Sequence, residues 1–195
     1  RFARLQELLK ANIPIDASKA ASILRNRKGV GGAELGLANE MAINQFIAHH
    51  SVIFQPEKKL MWVSTSPWQC GKYVAYDLNR IFSDSIDFNH EIYTGDLTLP
   101  ADSFLQQQEY QQLMTYKRLA PVLRKQIKKK ERLDEQTLHA FQHANPHFFY
   151  VYELLGDYYH ATGQQDKALR NWKKALLLPI PKRSESERIE HKINN

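Results

Sequence analysis

Apolar residues in the opening RFARLQELLK fall at Phe2, Leu5, Leu8 and Leu9, the spacing of one helix face, and predict a helix. NIPID breaks it, because Pro14 cannot continue a helical ladder. Asp16 or Ser18 can cap a second helix with Ala20, Ile23 and Leu24 on one side, so residues 1–27 read as two helices. The glycine-rich KGVGGAELG at 28–36 predicts a flexible loop. It lacks the GK[ST] ending and the preceding strand of a phosphate-binding loop.

The pattern then changes. In AINQFIAHHSVIF (42–54), even and odd positions are both substantially apolar, which suits a long strand covered on two sides or a helix segment. The flanks favour the strand: QPEKK (55–59) is a turn and LMWVSTS (60–66) a second β-rich run. A hairpin with its loop at Pro56–Lys59 sets Phe54 opposite Met61, Val52 opposite Val63 and His50 opposite Thr65. Pro67 ends that strand, Gly71 permits a tight turn, and YVAYDL begins a short strand or helix. Residues 79–100 look irregular, with a short extended piece at EIYTGDLTLP. From about 101 the pattern is helical, with helices at about 103–119 and 122–143, and Pro121 starting a new helix or kinking the first.

Of the 195 residues, 43% are hydrophobic and 25% charged, enough for one sizeable folded domain or a medium and a small one. The net charge of +6 permits an anionic partner without demanding one. The basic run RKQIKKKER (124–132) lies on a helix without interleaved aromatics, so a solvated face is preferred over a nucleic-acid footprint. No stretch reaches the ~20 apolar residues of a membrane helix. The chain begins at Arg1 with no initiator Met, which suggests a processed or truncated piece.

His49 and His50 are the obvious candidates for chemistry. Neighbours on a strand point to opposite faces, so the two cannot comfortably grip one metal ion. They read as structural histidines at a sheet edge or against a helix layer, with one of them lining a pocket as the alternative. Cys70, the sole cysteine, has no evident base nearby in sequence and reads as an inert buried thiol. Trp62 and Trp68 can stack a ligand, but core packing or an interface is the commoner fate. Catalytic, cofactor-binding and metal residues are therefore all expected to be absent from this chain, and no cofactor is expected.

YELLGDYYHATGQQDKALRNWKKALLLPIP (152–181) resembles one tetratricopeptide repeat through Tyr152, Leu155, Gly156, Tyr159, Ala168, Trp172, Ala175 and the Pro179/Pro181 end. Gly156 and Ala168 are small where two antiparallel helices must approach, Tyr159 and Trp172 fill the groove between them, and Gly163 separates them. The run NEMAINQFIAHHSVIFQPEKKLMWVSTSPWQCGKYVAYDL (39–78), preceded by RFARLQELL and ASILRNRKG, resembles the C-terminal part of penicillin-acyltransferase-like (acyl-CoA:6-aminopenicillanic acid acyltransferase-like) enzymes. These belong to the autoprocessing N-terminal-nucleophile class.

That resemblance implies an αββα sandwich. A precursor cleaves itself so that a cysteine becomes the first residue of its β chain, and the α-amino group serves as base for its thiol. The acyl group is then held as a thioester, with the oxyanion stabilised by nearby donors. The family's nucleophilic cysteine and oxyanion asparagine precede the matched segment. Arg1 is not that cysteine and Cys70 is in the wrong place, so no catalytic residue carries over; Asn44 matches only a hairpin position.

The resulting expectation is an α+β chain. Residues 1–100 form part of the αββα domain, as a long β-hairpin with covering helices. Residues 101–181 form an all-α tail with one tetratricopeptide-like hairpin at about 147–179, and residues 182–195 a polar tail. The expected function is that of a non-catalytic C-terminal portion of an acyltransferase or amide hydrolase. Its partners are the remainder of its own precursor and an acyl or amide small-molecule substrate, with no nucleic acid and no transmembrane segment. The resemblance also points to a bacterial protein acting outside the cytoplasm. The alternatives are a helical-repeat module that binds a peptide or protein and a basic nucleic-acid-binding module.

Overall fold

The computed structural model describes residues 1–83, 87 and 89–194. Residues 84–86 and 88, within the stretch expected to be irregular, and Asn195 lie outside the described residues. Among the described residues the protein is a mixed α+β chain with eight α-helices and a three-stranded antiparallel sheet. It divides into two compact units, one of residues 1–33 with 42–105, the other of 34–41 with 106–195.

In the first unit, α1 (Phe2–Ala11) and α2 (Ala17–Leu24) form where the apolar spacing predicts helices. The Asp16 carboxylate caps α2 by accepting from the Lys19 backbone N–H at 2.8 Å. The sheet order is β1 (Val52–Gln55), β2 (Leu60–Ser64), β3 (Tyr73–Asp77), so β1 is an edge strand. Val52 pairs with Val63 and Phe54 with Met61, the register expected from the turn length. A short helix, α3 (Leu78–Ile81), follows, capped by Asp77.

The strand expected over 42–54 is much shorter. It begins only at Val52, and residues 42–50 are irregular. The alternating burial of Ala42, Asn44 and Phe46 is real, but a loop produces it. Asn44 accepts from the Phe46 backbone N–H at 3.0 Å through its own side chain, and Phe46 has φ +55°. Such a local side-chain bond competes with a ladder and turns the chain instead. Pairing beyond Val52 ends at Ser51, whose N–H donates to Ser64 Oγ at 2.8 Å, so the expected His50–Thr65 pair does not form.

The second unit is helical. Its helices are α4 (Gln108–Lys129), α5 (Glu135–Ala144), α6 (Phe149–Ala161), α7 (Gln165–Leu176) and α8 (Arg183–Asn194). Pro121 does not divide α4 as expected. The ring lies on the exposed side, and packing of Tyr116, Leu119, Ala120 and Leu123 offsets the one missing backbone bond. The break comes instead at Lys130, in the left-handed region at φ +55°, and Asp134 caps α5. The segment 34–41 is pinned here rather than loose: the Asn145 amide accepts from Leu37 N–H at 2.9 Å and donates to Leu37 O at 2.7 Å. Gly36 has φ +77°, and a Cβ there would run into the Phe148 backbone. The polar stretch after 182 forms α8, with Ile189 fully buried.

Candidate functional site

The two faces of the sheet differ sharply. Alternation along the strands sends Ile53, Trp62, Tyr73 and Ala75 to one face, where they form a buried cluster with Ala21 of α2, flanked by Ala17, Ala20 and Leu24. Trp62 is 4% exposed and its Nε1 donates to Leu97 O at 2.8 Å. The same alternation sends Val52, Phe54, Met61, Val63, Val74 and Tyr76 to the opposite face. All six are apolar or aromatic: Phe54 is 63% exposed and Val52 37%, while Met61, Val63, Val74 and Tyr76 are half-buried. A sheet that faces water on one side ordinarily alternates apolar with polar. This one is apolar on both sides. At the hairpin end the apolar surface continues into a cleft of about 590 Å3, whose lining includes Phe54, Lys59, Leu60, Leu78 and Phe82.

Cys70 lies in the β2–β3 loop and is wholly buried. The Asn44 side-chain amide donates to its Sγ at 3.3 Å. Burial pushes the thiol above its ordinary pKa, and the Asn44 hydrogen bond only partly opposes this. Arg25 fixes the loop around it by donating to Gln69 O, Gly71 O at 2.7 Å and Pro100 O at 2.9 Å, with its guanidinium over the Tyr73 ring. Gln69 donates back to Leu24 O at 2.6 Å. Arg27 pairs with Asp102 at 2.6 Å and lies over Phe104. The Ser51 hydroxyl and the Tyr73 phenol share a short hydrogen bond beside the sheet. The arrangement is a polar knot that ties loop to sheet, with its only thiol sealed and protonated.

His49 and His50 are both exposed and lie outside the sheet, so neither is the strand histidine the sequence pattern suggests. Among the described residues no three His, Cys, Asp or Glu side chains gather in a way that could hold a metal ion. Trp68, half-buried and with φ +43°, packs edge-on to Phe46. The basic side chains at 124, 125 and 128–130 are exposed. Lys128 and Lys129 sit in the last turn of α4, where they complement the helix dipole.

In the second unit, Gly156 lets α6 approach the indole of Trp172, and Ala168 is fully buried. Tyr159 is half-buried beneath the Lys167 ammonium, and Gly163 turns the chain at φ +78°. Sequence reasoning missed the ionic centre that holds α8. Glu153, 2% exposed, accepts from Arg188 through both carboxylate oxygens at 2.8 Å and from Lys192 at 2.8 Å. Lys192 also reaches Asp157 at 2.8 Å, and Trp172 Nε1 donates to Asp157 at 2.9 Å. Burial alone would raise the Glu153 carboxyl, but Arg188 and Lys192 outweigh it and hold the group below its ordinary value. The one available signal was a charged residue inside the apolar run FYVYELL.

No family model, no curated protein and no solved structure matches this chain. No described helix is long and apolar enough to cross a membrane.

Proposed function

We propose that this chain is the non-catalytic C-terminal portion of an autoprocessing cysteine N-terminal-nucleophile acyltransferase or amide hydrolase. One observation carries the reading: a sheet with α2 packed on one face and, on the other, five apolar side chains and Tyr76, of which Val52 and Phe54 are exposed and the other four half-buried. Such a sheet is what one half of an αββα sandwich would supply. A second sheet stacked ~10 Å away would bury the bare face. The partner is the remainder of the same precursor, which carries the catalytic cysteine, and the substrate is an acyl or amide small molecule. The sealed Cys70 agrees, since a nucleophilic thiol must be accessible and ionisable.

The test is a matched pair of assays. The chain alone shows no thiol-dependent amidase activity, whereas the product of the full reading frame does, and Cys70→Ser leaves that turnover unchanged. Loss of turnover in folded Cys70→Ser protein would overturn the assignment of the nucleophile.

A second reading, a helical-repeat module, rests on the α6–α7 hairpin and its Gly156–Trp172 approach. In that reading the hairpin is tetratricopeptide-like and α8 closes it through Glu153. A single such hairpin is short of the three or so repeats a self-supporting array needs, which favours a docked tail.

A further inference from the structure

We propose that the cleft beside α2 in the first unit binds the phosphate group of a small molecule. The cleft, of about 440 Å3, is lined by α2, the residues just after it, and the segment 101–103. Its lining carries three cations, Arg25, Arg27 and Lys28, against a single carboxylate, Asp102. That carboxylate is already engaged. Its Oδ2 accepts from Arg27 at 2.6 Å and its Oδ1 from the Phe104 N–H at 3.0 Å. Arg25 has no such counter-charge: the acceptors it meets are the carbonyl oxygens of Gln69, Gly71 and Pro100.

Both guanidinium groups are held in place and still have donors to spare. Arg25 donates through Nε and Nη2, and Arg27 through Nη1. Arg25 Nη1 and Arg27 Nε and Nη2 meet no acceptor among the described residues. Because backbone carbonyls and Asp102 already fix the two groups, an incoming anion does not have to order them. Ser18 and Ser22, one turn apart and both exposed on α2, line the same cleft, as does the exposed Ser103 of the other segment. Their hydroxyls have no protein partner among the described residues. Guanidinium, ammonium and hydroxyl donors from separate segments suit a tetrahedral phosphate, whose oxygens point several ways, better than a planar carboxylate. The site uses no residue of the bare sheet face, so it stands independently of the enzyme reading above.

Calorimetric titration of the tag-free full chain with sodium pyrophosphate, in a phosphate-free buffer at fixed ionic strength, tests the site. The expected result is one pyrophosphate per chain, bound more tightly than citrate. Ser22→Asp sets a carboxylate in the cleft at an exposed helix position and weakens binding by at least ~10-fold. Lys28→Gln weakens it by about 3-fold. Both variants keep the parent circular dichroism. A Lys125→Gln/Lys128→Gln double variant, which removes exposed positive charge from α4 instead, binds as the parent does. Absence of pyrophosphate uptake by the parent chain would overturn the proposal. So would citrate bound as tightly as pyrophosphate, undiminished binding by Ser22→Asp, or binding lost in the α4 double variant.

Discussion

The two units bury their apolar residues in different ways. In the helical unit, α6 is covered on nearly every side: Val151, Tyr152, Leu154, Leu155 and Tyr158 are all buried, and even the charged Glu153 is enclosed by partners from α8. In the sheet unit, burial stops at one face. Trp62 and its neighbours are enclosed, while Phe54 and Met61 on the same two strands are not. A helix bundle closes on itself, whereas a sheet has two faces and one layer of helix covers only one. The helical unit thus carries its own partners, and the sheet unit presents a surface suited to one.

Substitutions can sharpen this contrast. The largest effect is expected for Trp62→Ala on the enclosed face, about 3–5 kcal/mol in a denaturant melt, enough to unfold the sheet unit. Glu153→Gln comes next. It removes the charge that holds Arg188 and Lys192, whose side chains are 47% and 26% exposed. Breaking a fully buried pair costs ~3–5 kcal/mol, and this exposure lowers the expectation to about 2 kcal/mol, read as lost amide protection along α8.

The same centre predicts a pH dependence. Because the folded Glu153 pKa lies below its ordinary value of 4.5, its contribution is complete above that value. The contribution drains as pH falls through the depressed folded pKa, so α8 should lose amide protection on acidification. Protection of α8 that stays constant through that range would remove Glu153 from the account. The smallest effect is expected for Phe54→Ala in the isolated chain, within about 0.5 kcal/mol, because the ring is already in water. In the assembly proposed above the same change should cost several-fold more.

The hairpin register was legible because a short turn between two β-rich runs leaves few ways to pair them, and Val52–Val63 and Phe54–Met61 followed. Strand length was not. A loop whose alternate residues are buried, as at Ala42, Asn44 and Phe46, carries the same period as a strand. Helix positions in the first 27 residues were readable from spacing and the Asp16 cap, whereas Pro121 misled because tertiary packing outweighed its local penalty. The Glu153 centre joins residues 35 and 39 positions apart, and no local pattern encodes such a pairing. The bare sheet face lay hidden for a related reason. Alternation shows that both faces of these strands are apolar, but which one is covered depends on where α2 packs.

Carbene footprinting of Phe54, Met61 and Tyr76 tests the central claim most directly, comparing the isolated chain with the proposed assembly with the remainder of its precursor. The account predicts strong labelling of all three in the isolated chain and protection in the assembly, with Trp62 protected in both. Equal labelling of Phe54, Met61 and Tyr76 in the two states would contradict it.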